Sequence, residues 1–289
     1  MKRDVLNSPR LTELKKRRQK AILNKILISF ACLAVIFFFL VYLSRLSSLQ
    51  VGGIEVSGNK VVDTQSITDT VQKEIAGKYL WLFPKSDILI YPEGNIKNNL
   101  QNKFTRLKNI SLFVGNDKVL KITVDERTPS YIWCGAEPQT RATGAIRASA
   151  PEENCYFMDA GGYIFDVAPY FSGEVYFKFY GTAGMGAYFS KQNFQQLVSF
   201  MDILVSLGLK PVALYKTADG DMQIFLSGIN SAGTSPKILL RADADLKIVA
   251  ENLQAALDTE PLLSKFKNNY SKLQYIDLRF RNKVYDKFQ

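Results

Sequence analysis

The side chains best suited to chemistry are two aspartates, Asp159 and Asp166, and two cysteines, Cys134 and Cys155. A carboxylate pair suggests glycoside hydrolysis, one group as acid and the other as base or nucleophile. Asp159, however, opens the run Asp159-Ala160-Gly161-Gly162, where a carboxylate bonded to nearby backbone N–H groups shapes a tight turn. Histidine is absent from all 289 residues. That excludes Ser-His and Cys-His nucleophiles, imidazole bases and nearly every usual zinc site. No glycine-rich phosphate loop precedes a Lys-Ser/Thr pair, and no GxGxxG is present. Only carboxylates, Lys, Tyr and Ser remain for catalysis, so the sequence points to no cofactor, no metal and no enzyme.

The cysteines flank a Gly/Ala/Ser/Pro-rich segment, residues 135–154, that reads as an exposed loop. Cys134 ends the apolar run Tyr131-Ile132-Trp133 and Cys155 begins Tyr156-Phe157-Met158. If these pair as antiparallel strands, the thiols face each other and could close the loop as a disulfide, with about 3 kcal/mol from loop closure. Two separate buried thiols are the alternative. Two cysteines are too few for a metal cage, and Cys32 sits apart in an apolar run.

That run is the element on which the rest depends. Residues 26–44 carry no charge and include Ile36-Phe37-Phe38-Phe39-Leu40-Val41. As a helix they rise roughly 28 Å, the thickness of a bilayer's hydrocarbon core. Residues 1–25 place Lys2, Arg3, Arg10, Lys15, Lys16, Arg17, Arg18, Lys20 and Lys25 against only Asp4 and Glu13. This asymmetry predicts a cytoplasmic head, a single span over 26–44 and an exported remainder. The alternative, a cleaved signal peptide, would have a shorter apolar core and a small-x-small site. The head holds most of the net +10. Topology and anionic lipid account for that excess, so nucleic acid is not an expected partner. ATP would also be lacking beyond the membrane.

After a short linker, Ile54-Glu55-Val56 reads as a strand ending at the turn pair Gly58-Asn59. Asp63 or Thr64 offers an N-cap. Ile67, Val71 and Ile75 then mark a helix closed by Gly77, and Ile96, Leu100 and Phe104 mark a second that starts near Pro92. A Trp/Leu/Phe-rich connector, residues 80–83, lies between them. Strands follow at 110–114 and 120–124. The order is β-α-α-β-β, a small α+β layer over residues 49–126.

Residues 127–289 read as a mainly antiparallel β domain backed by two helices. Strands are expected at 131–134, 155–158, 163–165, 175–179, 212–215, 222–226, 238–240, 275–280 and 284–288. Helices are marked by Phe194, Leu197, Val198, Met201 and Val205, and by Leu246, Val249, Leu253 and Leu257. Glu126 and Arg127, beside Pro129, suit ion pairs or hydrogen bonds at the junction. The run Val284-Tyr285-Asp286-Lys287-Phe288 has no following element to pair with, so it is expected at a sheet edge. Such edges are either blunted or used for β-augmentation. On period two, Ile276, Leu278 and Phe280 share one face, which makes Phe280 either a core residue or a contact.

Several of these pieces together resemble the FtsQ/DivIB family of bacterial cell-division proteins. They are the basic head and single span, Ile-Glu-Val-Ser-Gly-Asn (54–59), Leu-Lys-Ile-Thr-Val-Asp-Glu-Arg-Thr-Pro (120–129) with Trp133, the segment 156–165, and Tyr-Ile-Asp-Leu-Arg-Phe (275–280). The Cys-flanked insert, the 230–235 loop and a last strand that runs straight into the chain end depart from the family pattern. The resemblance implies a POTRA domain over 49–126 and an FtsQ-type β domain over 127–289. It implies a non-enzymatic divisome scaffold in the bacterial cytoplasmic membrane at the division site. Its partners would be FtsB/DivIC-like and FtsL-like bitopic proteins, other divisome proteins and the lipid bilayer, without nucleic acid. Partner binding falls, on this resemblance, at Phe280 and Phe288, with Asn282 in the intervening turn; Val284, Tyr285 and Lys287 are further candidates as members of the same edge strand. The competing readings are a POTRA-bearing envelope chaperone or translocation component, which normally continues into many transmembrane strands, and the carboxylate-pair enzyme.

Overall fold

The computed structural model describes residues 9–135, 138, 154–171, 175–231, 233–281 and 283–289. The fold is α+β, in two compact units, Met1–Glu126 and Arg127–Gln289.

The first unit begins with α1 (Pro9–Ser44), a 36-residue helix. Its stretch Lys15–Ser44 is long and apolar enough to span a membrane. The helix extends the 26–44 run backwards because the basic head is rich in good helix formers. A three-stranded sheet has the order β1 (Gly53–Ser57), β5 (Val119–Glu126), β4 (Leu107–Val114). β5 lies parallel to β1 and antiparallel to β4. On β5 the alternation buries Leu120, Ile122 and Val124 against α2 (Thr64–Ile75) and α3 (Glu93–Lys103). Those helices contribute Ile67, Val71, Ile75, Ile96 and Leu100 to the same core. Asp63 is the N-cap of α2, accepting from Ser66 N at 2.8 Å. Gly58 has φ 89°, and a Cβ there would lie 2.1 Å from Val124 O, so only glycine fits this turn. The 80–83 connector is in fact a hairpin, β2 (Lys78–Tyr79) with β3 (Phe83–Pro84).

The second unit is a nine-stranded sheet. Its order is β14 (Lys283–Phe288), β13 (Leu273–Phe280), β12 (Lys237–Leu240), β11 (Met222–Leu226), β10 (Pro211–Lys216), β9 (Lys178–Tyr180), β6 (Tyr131–Trp133), β7 (Tyr156–Met158), β8 (Ile164–Val167). The sheet is mixed, with five of its eight strand pairings antiparallel, as expected, and three parallel. β6–β9, β9–β10 and β12–β13 run parallel. For β9–β10 and β12–β13 the reason is topological: α4 (Phe194–Ser206) joins β9 to β10, while α5 (Leu246–Leu257) and α6 (Leu262–Asn269) join β12 to β13, and a helical crossover returns the chain in the same direction. The expected 175–179 strand is confined to β9, and α6 is a third helix that the two expected ones did not include. One sheet face packs Phe179, Leu214, Ile224, Ile238 and Ile276 with Phe200 and Leu204 of α4 and Leu253 of α5. A smaller cluster holds Ile132, Tyr180, Ala213 and Phe225 together with Cys134 and Cys155. Those two cysteines, one step beyond the Trp133–Tyr156 pair of β6 and β7, form a disulfide with Cα atoms 4.2 Å apart. Of the loop it closes, residues 136–137 and 139–153 lie outside the described residues.

Candidate functional site

β14 occupies one end of the sheet order, hydrogen-bonded to β13 on one side. Its other side has no strand beside it among the described residues. The register pairs Leu273 with Phe288, Ile276 with Asp286, Asp277 with Tyr285, and Phe280 with Lys283, with irregularities before Tyr275 and before Phe280. Along β14 burial alternates. Lys283, Tyr285 and Lys287 are exposed, while Val284, Asp286 and Phe288 are half-buried.

The proposed contact residues therefore divide. Val284 and Phe288 pack against the main core, so Phe288 anchors the strand rather than offering its ring to a partner. Lys265 of α6 secures that inner face. Its Nζ lies 2.9 Å from Asp286 Oδ2 and 5.8 Å from the centre of the Phe288 ring. The strand end is also tied: Gln289 N donates to Lys272 O at 3.0 Å, and Ser231 Oγ donates to Gln289 Oε1 at 2.7 Å. Asn230, buried, donates from Nδ2 to Leu273 O and accepts from Thr234 N, which fixes the preceding loop beside β13. None of these ties leaves a periodic signal in the sequence, since each links a single polar side chain to a distant element.

Phe280 and Tyr285 are exposed, 52% and 47% respectively, with ring centroids 5.1 Å apart. Phe280 leaves the Ile276–Leu278 face because the ladder is irregular between Asp277 and Phe280. A bulge shifts the side-chain alternation by one. Asn282 lies outside the described residues. Next to this pair, buried Asp277 receives Arg279 Nε at 2.9 Å and Nη2 at 2.6 Å. That guanidinium holds the Asp277 carboxyl below the usual carboxylate range, despite the opposing effect of burial. This edge thus combines backbone groups with no strand partner among the described residues, two exposed aromatic rings and two flanking lysines.

No family model matches this chain, and a search of curated proteins finds no match.

The other candidate residues have structural work. Asp159 accepts from Gly161 N at 2.9 Å and Tyr163 N at 3.0 Å through Oδ1. Its Oδ2 takes Arg127 Nη1 at 2.5 Å, and that guanidinium lies 3.8 Å from the Tyr163 ring centre. A carboxylate held this way braces a turn. Asp166 accepts from the N–H of its neighbour Val167 at 2.8 Å. Glu126 accepts from Lys60, Val61 and Val62 N–H groups at 2.8–3.0 Å. Partial burial opposes its charge, but these bonds outweigh that and hold its carboxyl below the ordinary value.

Proposed function

We propose that this chain is a bitopic membrane scaffold of FtsQ/DivIB type. α1 is its single span, the basic head is cytoplasmic, and residues beyond Arg45 form an exported docking platform at the division site. Residues 49–126 serve as its POTRA domain. The work of the platform is to hold FtsB/DivIC-like and FtsL-like bitopic partners without turnover of any substrate. The partner adds a strand to β14. Backbone hydrogen bonds then supply affinity, and the alternate side chains of β14 supply choice.

The observation that carries this reading is the β14 edge. It keeps one ladder of backbone groups open while its inner face is locked by Val284, Phe288 and the Lys265–Asp286 pair. An unused edge is normally blunted. This one carries Lys283 and Lys287, but between them its outer face also presents Phe280 and Tyr285, two exposed rings that blunting does not require. A partner strand with an apolar or aromatic centre and acidic flanks complements that face. The test is capture of the soluble coiled-coil region of an FtsB/DivIC-like protein by the full chain in detergent. Binding that Tyr285→Asp abolishes supports the reading; no binding, or binding indifferent to this edge, overturns it.

A further inference from the structure

The β2–β3 hairpin carries a second surface, unrelated to the β14 edge. Leu82 N donates to Tyr79 O at 3.0 Å, which closes a turn around Leu80 and Trp81. Both central residues have left-handed backbone, with φ of 46° and 64°. Such a turn normally takes Asn-Gly, because bulky side chains disfavour positive φ. Here it takes Leu and Trp, and both point into open space, 86% and 88% exposed. Two large apolar groups displayed on an unfavourable backbone have no use within the fold.

The hairpin's position relative to α1 supplies the use. Phe83 of β3 meets Phe37 of α1 edge-to-face, ring centroids 5.9 Å apart. One turn further along α1, Val41 is buried, and beyond it buried Ser44 donates from Oγ to Asp87 Oδ2 at 2.6 Å. Arg45 Nε donates to Leu82 O at 3.4 Å. The hairpin therefore lies back along the last turns of the apolar helix, and Phe37 is two turns, roughly 10 Å, inside the end of the charge-free run. Its base carries Lys78 and Lys85, the latter 5.7 Å from the Tyr79 ring. A Tyr-Leu-Trp-Leu-Phe tip with lysines behind it has the composition of a membrane-interface anchor. The rings and Leu lie at acyl depth and the ammonium groups reach headgroup phosphates.

We infer that the tip of this hairpin, Leu80 and Trp81, inserts into the leaflet that surrounds the exported end of α1 and fixes the first unit against the bilayer surface. This rests on α1 being a membrane span. The occupant of the exposed tip is lipid, because the tip's own backing is the lipid-facing helix.

The test uses the full chain in phosphatidylcholine/phosphatidylglycerol nanodiscs. The fluorescence difference between the wild-type chain and Trp81→Phe isolates Trp81 without disturbing buried Trp133. The expected result is a blue-shifted difference spectrum that loses most of its intensity to a doxyl label near the headgroup and little to aqueous iodide. Quenching by iodide and not by doxyl, in protein still resistant to alkaline carbonate, overturns the insertion and leaves the span intact. Protection from both quenchers that disappears on dilution into excess lipid assigns the tip to a second copy of the chain, and overturns it too. Release of the chain by carbonate removes the span, and the insertion with it.

Discussion

The rings of Phe280 and Tyr285 meet edge-to-face across the end of the β13–β14 hairpin, centroids 5.1 Å apart, with about half of each exposed. Aromatic pairs of this geometry are worth about 0.5–1.5 kcal/mol beyond their burial. In the isolated chain much of that apolar area still faces water. A strand laid along β14 would cover it.

Phe280→Asp and Tyr285→Asp should each weaken partner capture by roughly tenfold or more, the scale of an interface hot spot. Thermal melts of the variants should match wild type, because neither ring belongs to the core. Capture by biotinylated partner, read beside the melts, checks both statements.

Phe288→Ala should behave differently. Its ring packs against the main core and beneath Lys265, so truncation should cost about 2 kcal/mol of stability. Partner capture at low temperature should fall only as far as the folded fraction does. Urea unfolding gives the first quantity and the same capture assay the second.

Glu126→Gln should lower stability by about 1–2 kcal/mol at neutral pH, because a neutral amide is a weaker acceptor for three N–H groups and the site is partly screened by solvent. The folded carboxyl titrates below its ordinary value of 4.5. Its contribution is therefore complete above that value and is lost as pH falls through the depressed folded-state pKa. Wild type and variant should converge in that acidic window. Urea midpoints measured across the pH range check the convergence.

Replacing Cys134 and Cys155 together by Ala should destabilise the second unit by about 3 kcal/mol, the loop-closure contribution for a sequence separation of 21. In freshly isolated membranes, with Cys32 replaced, neither thiol should take a maleimide tag until reductant is added. Tagging before reduction would contradict the bridge.

Much of the helical frame was legible from spacing. Ile67, Val71 and Ile75 recur every four residues because one stripe of α2 faces the sheet, and α3, α4 and α5 repeat that logic. Strand direction was not legible. Alternation reports which face is wet, whereas the parallel pairs β9–β10 and β12–β13 follow from crossovers through α4, α5 and α6. α6 is too short for its apolar residues to establish a period. The β2–β3 hairpin escaped because its left-handed positions hold Leu and Trp rather than the residues that announce a turn.

At the site, the candidate edge strand could be read but its faces could not. Period two places Phe280 inside with Ile276 and Leu278. The irregularity after Asp277 turns it outward, and a bulge leaves no mark in residue type. Phe288 faces inward with Val284 and Asp286, held by Lys265, a residue that only the folded arrangement of α6 brings near.

Amide hydrogen exchange of the full chain, with and without the soluble coiled-coil region of an FtsB/DivIC-like partner, tests the docking account most directly. Strand addition predicts that amides within 283–288 gain protection on binding, while those of α4 and the β6–β8 end of the sheet do not change. Saturating partner that leaves β14 exchange unaltered would contradict it.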